Sequence, residues 1–400
     1  MTPLRLRLHP LLFLVTLSIL LAPDSLKGAL SAAAACAAME RGARRALGAM
    51  PCRFTAVPLA DGGEGTIEAF LRGAGGQART ATVRGPLGDA TEAQWAILSG
   101  GCALIEMAQA SGLTLVPSES RDAARASSHG TGELIRAALD AGCSALLVGI
   151  GGSATTDGGA GALQALGLRL LNRHEVELSS GGAALQHLAA IDDSALDARL
   201  AQTDIRVLCD VTNPLCGAQG AARVYGPQKG ASRAEVETLD AALNHFADVA
   251  TQTTKCDLRD EPGAGAAGGI GWGLMTFCGA RLTPGIEAVL EATKFHNKLE
   301  SSDLVLTAEG SIDAQTPQGK TLAGVARAAR GAKNGQGVPV IAFGGAVRLS
   351  GEALRQMGIM AALPLPNAPL SLQESIARTD ELLADAVERA LRLWLLSTQS

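Results

Sequence analysis

The sequence predicts an α/β protein of two domains: a doubly wound parallel sheet built from both chain ends, with a second α/β domain inserted between them. Three observations predict it. Apolar runs of four to eight residues alternate with Ala-rich stretches of helical length, the rhythm of strands joined by crossover helices. The chain has 400 residues, more than one hydrophobic core organises, and about 150 residues per domain gives two. Aromatic residues are 3% against 47% hydrophobic overall, so the core must be Ala, Leu, Val and Ile in closely approaching elements, which suits helices laid on a parallel sheet.

The first unit reads as strand Val15 to Leu21, loop Pro23 to Leu30, helix Ser31 to Leu47 with Ser31 as its N-cap, and strand Phe54 to Pro58. It ends in Asp61-Gly62-Gly63-Glu64-Gly65. Near the other end the rhythm returns: strand Asp303 to Thr307, helix Leu322 to Arg330, strand Val338 to Phe343, helix Gly351 to Met357, strand Ile359 to Leu363 and helix Ser371 to Leu396. Residues 1–62 and 300–400 are therefore assigned to the doubly wound domain and 63–299 to the insertion, with the active site expected in the cleft between them.

Two readings of the N-terminus stay open. Arg5, Arg7 and His9 precede an apolar run, Leu11 to Ala22, as in a targeting segment. That run has no small-x-small cleavage site and passes straight into Pro23-Asp24-Ser25, so it also reads as a strand with a short extension, in a cytoplasmic protein. No other stretch nears the ~20 apolar residues of a membrane span, so no membrane partner is expected. Net charge is −5, with no basic block, which argues against nucleic acid. The eight cysteines form no CxxC pair and read as small buried hydrophobes. Self-association is left open.

Chemistry concentrates where strands end. After the strand Ala145 to Val148 comes Gly149 to Gly161, six glycines with Ser153 and Asp157, whose bare amides, those of Gly151 and Gly152 among them, could meet an anion at a helix N-terminus. The same Gly149-x-Gly151-x-x-Ala154 pattern opens a dinucleotide fold, and Glu175 stands near the offset of a ribose contact. A second loop, Ala314 to Thr321, misses the phosphate-loop pattern by one residue, with Ala314 in place of the first glycine. Only seven lysines occur, and Lys27, Lys229 and Lys320 each abut glycine, as a lysine reaching a phosphoryl group would. Acids mark the same strand ends: Asp24, Asp61, Glu64, Asp157, Asp210, Glu309 and Asp313. Carboxylates for Mg²⁺ or a hydroxyl nucleophile, with lysines for developing charge, make a phosphoryl-transfer site. No GxSxG elbow and no partnered histidine argue for acyl transfer.

The chain resembles the type I glycerate kinase family through APDSLKGALSA (22–32), PLADGGEGT (58–66), IEMAQASGLTLVP (105–117), GIGGSATTDGGAGALQALG (149–167), CDVTNPLCG (209–217), GPQKGA (226–231) and AEGSIDAQTPQGKT (308–321), in family order. The resemblance implies a flavodoxin-like domain with an inserted α/β domain, and phosphorylation of D-glycerate by ATP and Mg²⁺, generally at the 2-hydroxyl, in glyoxylate, glycolate or aldarate breakdown. On that likeness Asp313, Asp210, Lys27 and Lys320 are expected to be catalytic. Asp24, Ser25, Asp61, Glu64, Gly151, Gly152, Ser153, Asn213 and Lys229 are expected to bind substrate or nucleotide, and Glu309 and Asp157 to hold metal. Four positions depart from the family pattern: Leu26, Thr156, Glu175 and Ala308. Ala308 replaces a glycine, and a positive φ there would strain the backbone and displace Glu309. Two alternatives remain: a nicotinamide-dependent oxidoreductase using the 149–154 turn, and an exported, non-catalytic ligand-binding module.

Overall fold

The computed structural model describes residues 16–26, 28–60, 65–314, 316–318 and 321–397. The described residues of 1–59 and 293–400 form one compact unit, and those of 60–292 the other. The chain begins with β1 (Leu17–Leu21), α1 (Ala32–Leu47) and β2 (Cys52–Ala56). The second unit follows as α2 (Thr66–Ala74), β3 (Gly76–Arg84), β4 (Ala90–Leu98), β5 (Ala103–Glu106), α3 (Ala108–Ser111), α4 (His129–Asp140), β6 (Ala145–Gly149), α5 (Ala160–Ala165), β7 (Arg169–Leu171), β8 (Ala190–Asp192), β9 (Asp204–Leu208), α6 (Ala221–Tyr225), α7 (Arg233–Thr254), α8 (Ile270–Cys278), β10 (Arg281–Thr283) and α9 (Gly285–Ala292). The first unit resumes with α10 (Phe295–Glu300), β11 (Leu304–Ile312), α11 (Thr321–Gly331), β12 (Val340–Val347), α12 (Gly351–Met357), β13 (Ala361–Pro364), α13 (Leu372–Ala377) and α14 (Thr379–Ser397).

In the unit of the chain ends, the five strands pair in the order β13-β12-β11-β1-β2, parallel throughout. Counted along this unit alone, that is the 2-1-3-4-5 order of flavodoxin-like sheets, so the α/β, doubly wound expectation holds. Strand β1 buries Ile19, Leu20 and Leu21, as a central parallel strand covered on both faces must. Helices α1 and α14 cover one face and α11 and α12 the other. Ser31 caps α1 as expected, its Oγ accepting from the Ala34 amide.

Two expected elements differ. Strand β11 does not stop at Thr307 but runs to Ile312, because β12 continues beside it and pairs Glu309 with Gly344 and Ser311 with Ala346. The long C-terminal helix is broken at Arg378, where a second helix starts. Ala308 lies inside β11, is absent from the positive-φ residues and is buried in the core, so the anticipated strain does not arise.

Helices α1 and α14 meet at Gly42, where a Cβ would stand 2.1 Å from the Ala384 carbonyl oxygen. Arg41–Asp380 and Arg45–Asp385 pairs flank this crossing, but both are half-exposed and add little. Backbone approach at Gly42 therefore dominates this joint. Gly42→Ala is expected to destabilise the protein by about 3 kcal/mol, measured as a lowered urea midpoint at unchanged slope.

In the other unit, six strands pair in the order β10-β9-β6-β5-β4-β3. The four from β10 to β5 are parallel, so β5, β6, β9 and β10 all release their carboxyl ends along one edge. The core beneath holds Trp272 edge-on to Phe246, with ring centroids 4.9 Å apart. Cysteines are less buried than expected: Cys256 is exposed and Cys52, Cys102, Cys209 and Cys216 are half-buried; all eight are free.

Candidate active site

The switch point of the 2-1-3-4-5 sheet falls between β1 and β11, where adjacent crossovers leave to opposite faces and open a crevice at the strands' carboxyl ends. Asp24 follows β1 there and is 6% exposed. Its amide donates to the Ala308 carbonyl, 2.9 Å, fixing it against β11. Its Oδ1 accepts from the Ser25 amide, 2.6 Å, and its Oδ2 from the Thr321 hydroxyl, 2.6 Å, at the start of α11. The unexpected reach of β11 to Ile312 places Glu309 and Ser311 within the strand and Asp313 one residue past its end. The Ser311 hydroxyl donates to Asp313 Oδ2, 2.9 Å, and Glu309 is 9% exposed. Asp24 and Ser25 are thus held at the carboxyl end of β1 against β11, the strand that carries Glu309 and is followed by Asp313. Lys27, Asp61, Glu64 and Lys320 lie outside the described residues.

Asp157 is corrected. It is 0% exposed, and four donors occupy its carboxylate: the Ser128 amide and hydroxyl, both at 2.8 Å to Oδ2, the Gly161 amide at 3.2 Å to Oδ2, and the Gly159 amide at 3.1 Å to Oδ1. Ser128 in turn accepts from the Ala162 amide, 3.0 Å, so one carboxylate and one hydroxyl join the starts of α4 and α5. A carboxylate with both oxygens committed inside the core is no metal ligand. It also fills the N-terminus of α5 that an external anion was expected to occupy. Burial pushes the Asp157 carboxyl above its ordinary value, against the pull of these hydrogen bonds.

Lys229 is corrected likewise. It ends a short turn, Pro227–Lys229, closed by Gly230 at φ +95°, where a Cβ would meet the Arg121 carbonyl at 2.6 Å. The turn drives the side chain inward: Lys229 is 2% exposed, and its Nζ donates to Ser153 Oγ, 2.8 Å, and to the Thr155 carbonyl, 2.6 Å. It holds the glycine loop and does not reach out to a ligand. The loop is pinned on its other side by Leu113 N to Gly152 O, 2.8 Å, and Ala154 N to Ser111 O, 2.9 Å. Gly151 and Gly152 nevertheless remain open to solvent. Among the described residues no acceptor takes the amide hydrogens of Gly151, Gly152 or Ser153.

Asp210, just past β9, accepts the Gly285 amide on Oδ1, 2.8 Å, and so caps α9. Asn213 is held at both ends, its Oδ1 by the Tyr225 hydroxyl, 2.7 Å, and its Nδ2 on the Gln219 carbonyl, 2.8 Å; it shapes the 209–217 loop. Glu175 takes φ +61° in the exposed turn between β7 and β8, far in topology from a ribose-binding strand end, and α5 has only six residues. Neither supports a dinucleotide turn.

Sequence reasoning missed three residues. Thr321 stood only as the last position of a near-miss loop pattern, and Ser128 as a serine ahead of a helix. Glu106 ends the apolar strand β5, accepts the Ile67 amide on Oε1, 2.5 Å, and the Gln109 side-chain amide on Oε2, 3.3 Å. It lines a cavity of about 580 Å³ with Ile67, Glu68, Leu71, Gln94 and Gln109. An acid closing an otherwise apolar strand was the available signal.

No described helix is long and apolar enough to cross a membrane. A doubly wound sheet whose switch point carries three carboxylates is the framework of an α/β kinase, an enzyme that works by positioning phosphoryl groups. The description "Glycerate kinase family" matches residues 19–395, and the chain belongs to that family. It is 47% identical to a glycerate kinase of Halalkalibacterium halodurans over 92% of this chain and 96% of that one. To the glycerate 2-kinase of Escherichia coli it is 45% identical, over 94% and 96%. A crystal structure from Salmonella typhimurium LT2, of a protein provisionally named glycerate kinase 2, superposes with a TM-score of 0.82 at 41% identity, covering 96% of this chain and all of that one.

Proposed function

We propose that this kinase transfers the γ-phosphoryl group of ATP to the 2-hydroxyl of D-glycerate, giving 2-phosphoglycerate and ADP, in the cytoplasmic breakdown of glyoxylate, glycolate or aldarates. The observation that carries this reading is the carboxylate set Asp24, Glu309 and Asp313 at the β1/β11 switch point. The naming of a 45% identical relative as a glycerate 2-kinase supports the regiochemistry.

Asp313 is the better candidate for orienting the attacking hydroxyl. Asp210 already accepts a helix amide, whereas Asp313 is half-buried just past β11 with its Oδ2 beside the Ser311 hydroxyl. As the hydroxyl oxygen bonds to phosphorus and the bond to the ADP oxygen breaks, the hydroxyl proton passes to the Asp313 carboxylate. Asp24 and Ser25 position the nucleotide or acceptor, and Lys27 and Lys320, which flank the switch-point motifs in sequence, balance the phosphoryl charge. The glycine turn 151–153 offers its free amides to an anionic group of a substrate.

Among the described residues no three His, Cys, Asp or Glu stand close enough to hold a metal unaided. That fits Mg²⁺, which is bound through one or two carboxylates together with phosphate oxygens and water. Glu309 is the residue that would hold it, and bound Mg²⁺ would neutralise charge on the phosphates.

Incubation with Mg-ATP and D-glycerate is expected to release ADP, with 2-phosphoglycerate identified by phosphorus NMR. Asp313→Asn is expected to lower kcat about a hundredfold with KM changed little. Absence of glycerate-dependent ADP release sinks the proposal, and 3-phosphoglycerate as the product overturns its regiochemistry.

A further inference from the structure

We propose that Lys229 is a positioning residue that acts through Ser153: its Nζ holds the serine oxygen so that the serine O–H, with the amides of Gly151, Gly152 and Ser153, is presented to an anion at the glycine turn. The inference deepens the reading of that turn as an anion site.

The geometry is specific. Ser153 is 7% exposed, and its oxygen accepts from Lys229 Nζ at 2.8 Å. A hydroxyl that accepts inward keeps its own proton free, and among the described residues Ser153 Oγ has no other partner. The neighbouring carbonyl of Gly152 and amide of Ala154 are pinned on Leu113 and Ser111, so the turn cannot rotate to satisfy its three amides internally. What remains open is a row of backbone donors with a hydroxyl at its end, a recognition set for a carboxylate or phosphoryl oxygen.

The device responds to pH. A charged Nζ donates to Ser153 and leaves the O–H outward. A neutral Nζ carries a lone pair that can take the serine proton instead, turning the donor away from the anion. Burial pushes the Lys229 ammonium down to about 7, with Asp157 pulling it back up. The charged groups around Lys229 are that Asp157 carboxylate and Arg121, whose Nη1 donates to the Gln228 carbonyl at 3.2 Å. Neither replaces the bond to Ser153.

Sulfate is a suitable probe, since its charge is constant across this range. Calorimetric titration of the full chain with sulfate is expected to give a Kd about tenfold weaker at pH 8 than at pH 6, the ratio of charged Lys229 at the two values. Ser153→Ala and Lys229→Met are each expected to reduce that ratio below about twofold, the first with a cooperative unfolding transition that certifies the fold. An unchanged tenfold ratio in Ser153→Ala, equal wild-type affinity at both pH values, or no sulfate binding overturns the inference. Turnover of D-glycerate, measured separately, tests the proposed reaction: pH-dependent sulfate binding without turnover removes that reaction and leaves the Lys229–Ser153 device standing.

Discussion

Replacing Asp157 by alanine is expected to cost about 4 kcal/mol and to abolish turnover, although the residue touches no substrate. The magnitude follows from what would be stranded. Four donors converge on this carboxylate, from Ser128, Gly159 and Gly161, and all are buried with it. Removing the acceptor leaves each to lose a charge-assisted bond with no water to replace it. It also leaves Lys229 without the one carboxylate that favours its charged form. Removing one member of a buried charge pair typically costs 3–5 kcal/mol. Asp157→Asn keeps one acceptor oxygen but turns an NH₂ towards the donors, so about half the loss is expected. Urea unfolding followed by tryptophan fluorescence checks both, because Trp95 and Trp272 are buried in the same unit as Asp157. If Asp157→Ala unfolds at the wild-type midpoint but loses magnesium-dependent nucleotide binding, Asp157 is a metal ligand after all.

That Asp157 and Lys229 were first read as ligand contacts shows where sequence stops being legible. Both are charged residues beside glycine, and glycine marks close backbone approach without saying what approaches. At Gly268, a Cβ would meet the Thr155 carbonyl at 2.0 Å, and at Gly161 the Ser127 hydroxyl at 2.2 Å; the visitor here is the protein itself. The fold was far more readable. Strand β1, the Ser31 cap and helix α12, Gly351–Met357, follow directly from apolar runs bounded by Pro, Ser and Gly. Strand β11 was cut short because Glu309, Gly310 and Ser311 look like loop residues. Only a neighbour of matching length, β12, makes that stretch a strand, and pairing across 35 residues leaves no local mark. The break at Arg378 was hidden for the opposite reason: both helices there carry helix-forming residues, and the join shows only in the Arg378 backbone, φ −105° and ψ 10°.

The second large effect concerns stability against pH. Lys229 is fully buried and its folded value is depressed from 10.5 to about 7. Between those values the unfolded chain holds a proton on this lysine and the folded chain does not, so stability rises with pH across the window from about 7 to 10.5. Below 7 both states are protonated, and the cost of burying the charge is constant and complete. Lys229→Met removes the titration while roughly preserving volume. The difference in unfolding free energy between wild type and Lys229→Met is therefore expected to move in favour of the wild type by about 1.4 kcal/mol per pH unit above 7, or roughly 5 kcal/mol over the window. The half-buried Cys216 and buried Cys278 thiols, pushed up to about 12 by desolvation, work in the opposite direction, favouring the folded state less as pH rises. They are common to both proteins and cancel in the difference. Urea midpoints at pH 6, 7.5 and 9 suffice to measure it. A pH-independent difference would mean that Lys229 stays charged in the folded protein, held so by Asp157. The serine proton would then face outward at every pH, and the glycine turn would bind its anion without the switch.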